Sequence, residues 1–109
     1  MIDVREELTR IIHKYLPGCK IMLFGSRARG TQQDGADYDI AIDAGKKILS
    51  EVMYKITSDI EESNVYVHVD VVDVHGVTPE FLAVIEKDWV IWKKNNSQVR
   101  SSVKNAFYT

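Results

Sequence analysis

Two residue pairs at a fixed separation constrain this chain more than anything else in it. Gly25-Ser26 closes a short apolar run at 21–24 (IMLF), and ten residues then separate Ser26 from Asp37-Tyr38-Asp39, which opens another apolar run at 40–42 (IAI). The pattern reads as a strand, a turn, a loop and a second strand. Residues two apart on a strand project to the same side, so Asp37 and Asp39 share a face and come within reach of one divalent cation. Mg²⁺ is the natural guest, because it takes oxygen ligands and is commonly held by one or two carboxylates plus substrate phosphates. A glycine straight after a buried strand lets a phosphate approach the backbone. Ser26 adds a hydroxyl, the turn adds free N–H groups, and Arg27 and Arg29 add positive charge. Either half alone is ordinary: a D-x-D is more often a solvated strand face, and Gly-Ser an everyday turn. The fixed spacing that joins a phosphate holder to a metal holder gives the pair its weight.

Two other phosphate chemistries are excluded. No Gly-Lys-Ser/Thr follows Gly25, so this is not a P-loop. The residue two after Asp39 is Ala41, and no strong apolar strand runs directly into Asp37, which argues against an aspartyl-phosphate hydrolase.

The remaining elements follow from periodicity. Val4, Leu8, Ile11, Ile12 and Tyr15 recur at helical spacing, Asp3 with Glu6 resembles a capping box, and Pro17-Gly18 stops the run, giving a helix over 3–16. Residues 19–24 form a strand buried on both faces and therefore central. Residues 27–30 make one helical turn, and 31–36 a polar loop. Residues 37–43 alternate, with Asp37, Asp39, Ala41 and Asp43 on one side and Tyr38, Ile40 and Ile42 on the other. A second long helix spans 46–62, with Ile48, Leu49, Val52, Met53, Ile56 and Ile60 as its apolar stripe. A long strand covers 65–74. Thr78-Pro79 starts a helix that runs to about Lys87. Residues 89–92 close the sheet, and core packing is the reading preferred for Trp89 and Trp92. The order α, β, loop, β, α, β, α, β specifies an α/β (α+β) domain with one mixed sheet and helices packed on one face. Residues 1–94 make the domain. Residues 95–109 form a polar tail, read as a frayed terminus or a weak helix carrying Val99, Val103 and Phe107.

Strand parity supplies a third acid. Val65, Val67, Val69 and Val71 share the core face, leaving Tyr66, His68, Asp70 and Val72 on the other. Asp70 then joins Asp37 and Asp39 if the two strands are neighbours. Three carboxylates on one open face repel unless a cation neutralises them. Such a site suits two metal ions, which activate an attacking oxygen and stabilise a leaving one. Asp73 is the competitor for the third place, but parity puts it on the core side unless a bulge intervenes near Val72. His68 shares the face of Asp70, although a strand histidine without a catalytic role is the commoner case. His13 and His75 read as structural or solvated.

Composition narrows the setting. The chain has 109 residues, one cysteine and a formal net charge of -2. That length buries one core. The balance of charge gives no global basic field, which argues against nucleic acid as a partner of the bulk surface. A lone Cys19 excludes an internal disulfide and argues against a four-ligand Cys/His zinc site. No stretch is apolar enough to span a bilayer and no signal-peptide pattern opens the chain, so the expected setting is cytoplasmic.

At Gly25-Ser26 and Asp37-x-Asp39 the sequence resembles the minimal nucleotidyltransferases (MNT) of the DNA polymerase β-like superfamily, whose signature is Gly-Ser, ten residues, then Asp-x-Asp. Residues 68–74 (HVDVVDV) resemble that family's third-carboxylate strand, and 78–92 its closing helix and strand. The resemblance covers 3–93; Ala36, where a Ser often precedes the first Asp, is a small departure. It implies Mg²⁺-dependent nucleotidyl transfer from ATP, with Asp37, Asp39 and Asp70 as catalytic metal ligands. Gly25 and Ser26, with Arg27 and Arg29, would hold the nucleotide. Minimal proteins of this kind resemble antitoxins encoded beside HEPN-domain proteins, which transfer AMP to a tyrosine of the HEPN toxin. A chain this short has no second domain to hold an acceptor, so a HEPN partner or a homodimer is expected. Two alternatives stay open: neutralisation of a HEPN partner by docking alone, and transfer to a small molecule or an RNA end, against which the acidic balance and the missing second domain weigh.

Overall fold

Asp3 accepts a hydrogen bond from the Glu6 N–H at 3.1 Å and starts helix α1 (Val4–Tyr15). The cap satisfies one of the donors that a helix start leaves free. The computed structural model describes residues 2–93. The expectations for the tail, Val99, Val103 and Phe107 among them, lie outside the described residues. The other elements are β1 (Lys20–Phe24), α2 (Ser26–Arg29), β2 (Tyr38–Asp43), α3 (Ser50–Glu61), β3 (Val69–Asp73), α4 (Pro79–Ile85) and β4 (Val90–Lys93).

The four strands form one mixed sheet in the order β3-β2-β1-β4. β1 is antiparallel to both β2 and β4, and β2 is parallel to β3. This is the expected α+β fold with β1 inside the sheet. Its Ile21 and Leu23 face α1 and α3, together with Leu8, Ile12, Ile40, Ile42, Ile56 and Ile60. Met22, fully buried, faces the other way with Ala41, Val72 and Ile85. The two long helices therefore lie on one face as expected, whereas the short α4 covers part of the opposite face. The reason is that a strand buried on both sides needs a cover on both. Trp92 and Trp89, both half-buried, pack against the first and the second cluster respectively. Burial pushes the Cys19 thiol up to about 12, which leaves it inert as a nucleophile.

Two boundaries differ from the sequence reading. α3 begins at Ser50 and not at Lys46. The Ile48 N–H donates to Oδ2 of the buried Asp73 at 2.7 Å, holding 46–49 as a linker, and Leu49 is exposed, off the apolar stripe. β3 begins at Val69 and not at Val65. Among the described residues its strand partner is β2, and the pairing starts at Tyr38↔Val69, so residues 65–67 have no ladder to join there.

Candidate functional site

The site is assembled by the β2–β3 register. Asp39 pairs with Asp70, and Tyr38 with Val69, in parallel strands. The Tyr38 N–H also bonds the His68 carbonyl at 3.0 Å, so Asp37 stands beside His68 one step earlier. Four polar side chains thus come together: Asp39 on β2 with Asp37 just before it, and Asp70 on β3 with His68 just before it. Asp70 is exposed, as parity required. Asp73, the competitor, is buried, and accepts from Ile48 N–H and from His75 N–H at 3.0 Å. It anchors the chain after β2 and does not join the site.

The Gly25-Ser26 turn closes the site from the β1 side. β1 and β2 pair at Phe24↔Asp39, which places Gly25 against the Asp39 side chain. Gly25 has φ 80° and ψ −158°, and a Cβ there would overlap Oδ2 of Asp39. Glycine is needed here for backbone conformation and for space alike. Ser26 opens α2, whose N-terminus has no side-chain cap. Arg29 is exposed and its charge acts on Asp39. Arg27 is committed elsewhere: its Nε and Nη2 donate to the Ala36 carbonyl at 3.0 and 2.9 Å, and its guanidinium lies 4.1 Å from the Tyr38 ring centroid. It clamps the loop between α2 and β2.

Electrostatics mark the same cluster. Burial, then the Asp70 and Asp37 carboxylates, push the Asp39 carboxyl above its ordinary range, with Arg29 and His68 opposing. His68 Nε2 lies 3.0 Å from Asp70 Oδ1, and that hydrogen bond and charge raise the imidazole above its usual value. Among the described residues, neither Asp37 nor Asp39 has a lysine or arginine within ion-pair distance. Asp37, His68 and Asp70 each offer one ligand atom, all within 4.8 Å of one another. Asp39 is not in that group; its carboxylate is turned against Gly25. Clustered oxygen donors on an open face, with Asp37 and Asp39 outside any ion pair among the described residues, fit a divalent cation. Two grooves flank residues 66–68. One, of about 430 Å³, is lined by Thr57, Glu61, Tyr66, His68 and Asp70 among others. The other, of about 520 Å³, is lined by Arg27, Gln32, Gln33, Asp34 and His68 among others.

Sequence reasoning placed Asp37, Asp39, Asp70 and Gly25 together, and the structure does bring them together. His68, read from the sequence as sharing the face of Asp70 and more often a strand histidine without a catalytic role, stands in the same cluster and is bonded to Asp70. A second histidine–carboxylate pair, His75 Nε2 to Asp43 Oδ1 at 2.8 Å, lies at the other end of β2.

The family model described as Polymerase beta, Nucleotidyltransferase matches residues 6–97. Solved structures share the fold. A toxin–antitoxin crystal structure with AMP-PNP superposes with a TM-score of 0.72 at 19% identity, over 86% of this chain and 76% of that one. A variant of the MntA–HpeT toxin–antitoxin gives 0.70 at 18% identity, over 90% and 77%. A structure of a tri-AMPylated Shewanella oneidensis HEPN toxin in complex with its MNT antitoxin gives 0.66 at 15% identity, over 89% and 75%. No curated protein sequence matches the chain.

Proposed function

The chain belongs to the polymerase β nucleotidyltransferase family, and from that premise we propose that it transfers AMP from ATP to a tyrosine hydroxyl of a HEPN-type partner protein, acting as an antitoxin. The observation that carries the reading is the Asp39↔Asp70 register, which sets the acids of two strands beside the Gly25-Ser26 turn. The neighbours add support at the level of fold: one contains AMP-PNP, another an AMPylated HEPN toxin.

In this reading Asp37, Asp39 and Asp70 hold Mg²⁺, two ions when the substrate is bound, and the metal supplies charge stabilisation for the triphosphate and the leaving group. Gly25 and Ser26 seat the phosphates with backbone and hydroxyl donors. Arg29 adds positive charge, and Arg27 keeps the loop shaped around them. The groove beside Tyr66 and His68 admits the acceptor side chain next to Asp70. The acceptor oxygen attacks the α-phosphorus, the bond from that phosphorus to the oxygen bridging to the β-phosphate breaks, and pyrophosphate leaves. Asp70 takes the hydroxyl proton. Residues 1–94 constitute the transferase domain, 95–109 its tail, and the acceptor-holding function falls to the partner chain.

The test combines the purified protein, the product of the neighbouring gene, ATP and Mg²⁺, with intact mass read on both chains. An AMP adduct on the neighbour that is absent with Asp37→Ala/Asp39→Ala supports the proposal. No adduct, with the neighbour inhibited equally by wild type and double variant, would replace it with neutralisation by docking. Adducts on an added small molecule alone would move the acceptor class.

A further inference from the structure

The sheet ends on one side at β3, and among the described residues that edge is open. Successive residues of a strand turn their N–H and C=O groups to opposite edges. The Tyr38 N–H bonds the His68 carbonyl and the Val74 N–H bonds the Ile42 carbonyl, both at 3.0 Å. In this register His68, Asp70, Val72 and Val74 address β2, while Val69 and Val71 direct their N–H and C=O groups outward. Those groups border a groove of about 430 Å³ that follows residues 65–71 and is walled by Thr57, Ile60 and Glu61. The opposite edge differs. At β4, Arg5 donates to the Trp92 carbonyl at 2.8 Å, and the ladder with β1 is irregular at Ile21/Met22. Covered edges, bulges, lysine and proline keep an edge strand from pairing. β3 reads Val-Asp-Val-Val-Asp with an unbroken register, and among the described residues it carries none of these.

We propose that the open edge of β3 takes up an extended segment of the acceptor protein as an added strand, with the hydroxyl-bearing residue of that segment opposite Asp70. The proposal rests on the reading of this chain as an AMP-transferring enzyme. Side chains of directly paired residues stand on one face with Cβ atoms about 4.5–5.5 Å apart. A residue opposite Asp70 therefore stands beside the acids. The residues before and after it point the other way, toward Thr57 and Ile60 and alongside Val69 and Val71, which pack on the core cluster. The substrate class is an extended apolar–hydroxyl–apolar segment; a helix has already used its own main-chain groups and cannot pair. Continuity with the site names the occupant: His68 and Asp70 belong both to the groove and to the acidic cluster, so whatever pairs with β3 delivers a side chain to the acids. A second copy fits poorly. Two-fold pairing through Val69 and Val71 would set Asp70 directly against its copy, and like charges placed so repel.

The probe is the purified product of the neighbouring gene, added to the full chain with Mg²⁺ and α,β-methylene ATP, which cannot release pyrophosphate. Hydrogen exchange read residue by residue should find the Val69 and Val71 amides fast in the free chain and slowed by about tenfold or more in the mixture. Val69→Pro removes one outward N–H at the first residue of an edge strand, a position that accepts proline. Thr57→Trp fills the groove from an exposed helix position. With ATP and limiting neighbour, each should cut AMP transfer by about tenfold or more, the weight of main-chain groups left unpaired. Both variants should keep the wild-type rise in melting midpoint on adding Mg²⁺ and α,β-methylene ATP, which reads the fold and the nucleotide site. Should Val69→Pro lose its fold, Thr57→Trp decides. Wild-type transfer by Thr57→Trp, or amides that exchange alike with and without the neighbour, would overturn the proposal. So would slow exchange in the free chain, independent of concentration if residues 94–109 fill the edge and dependent on it if a second copy does. A neighbour that takes no AMP from wild type sinks the enzymatic reading and this one together; adducts formed while Val69 and Val71 stay unprotected sink the added strand alone.

Discussion

A Cβ on Gly25 would overlap Oδ2 of Asp39. The phosphate-side turn and the carboxylate strand are therefore in van der Waals contact, and one cannot be changed without the other. Gly25 also holds a backbone conformation that is essentially glycine-only. Gly25→Ala should destabilise the fold by roughly 2 kcal/mol and abolish transfer. Asp39→Ala in the same chain removes the overlap but not the backbone strain. A denaturant-based double-mutant cycle should show a coupling of about 1 kcal/mol between the two positions. Strict additivity would mean that the two side chains do not share this space.

Asp39 should cost stability at neutral pH. Its carboxyl is raised in the folded chain, so the folded state binds the proton more tightly than the unfolded state does. Stability from this group is present below the unfolded value of about 3.9 and is lost as pH rises through the higher folded value. Thermal unfolding in a chelator should therefore find Asp39→Asn more stable than wild type at pH 7, by about 2 °C or more, with the difference closing near pH 3. Added Mg²⁺ should raise the wild-type midpoint and not that of the variant, because only a ligand bound by the folded state stabilises it. A variant less stable than wild type at pH 7 in chelator would contradict the charge argument.

Asp70 and Asp73, three apart on β3, should separate chemistry from stability. Asp70→Asn leaves the core untouched, and its unfolding free energy should stay within about 0.5 kcal/mol of wild type. Transfer should fall by about 100-fold or more, the usual weight of a general base. Asp73→Ala strips two N–H groups, of Ile48 and His75, of a buried acceptor. Each such group costs about 1–3 kcal/mol, so a loss of about 3 kcal/mol is expected. Chemical denaturation and the intact-mass assay, run on both variants, check the division.

Much of the site was legible because it rests on parity. Period-two alternation put Asp37 with Asp39 and Asp70 opposite Asp73, and none of those assignments needs tertiary knowledge. β1 was legible for the same reason, as an unbroken apolar run buried on both faces. What parity could not supply was extent. The alternation at 65–68 is as regular as that at 69–73, but a strand lasts only as long as its neighbour. The start of α3 depended on a hydrogen bond to Asp73, 25 residues away from Ile48, and Leu49 lost its place on the stripe with it. α4 crossed to the second face because Met22 needed cover, a demand made by packing and not by α4 itself. That Arg27 also closes the loop through the Ala36 carbonyl was not legible, because charge beside a turn is all a sequence shows.

The odd interval between Asp70 and Asp73 fixes how this domain can change over evolutionary time. One inserted or deleted residue between them would turn both acids to the same side of the sheet, leaving either the core without its anchor or the open face without its third carboxylate. Surface loops away from the Ser26–Asp37 interval can lengthen at little cost. These three steps of strand cannot, and their length should be as little negotiable as that interval.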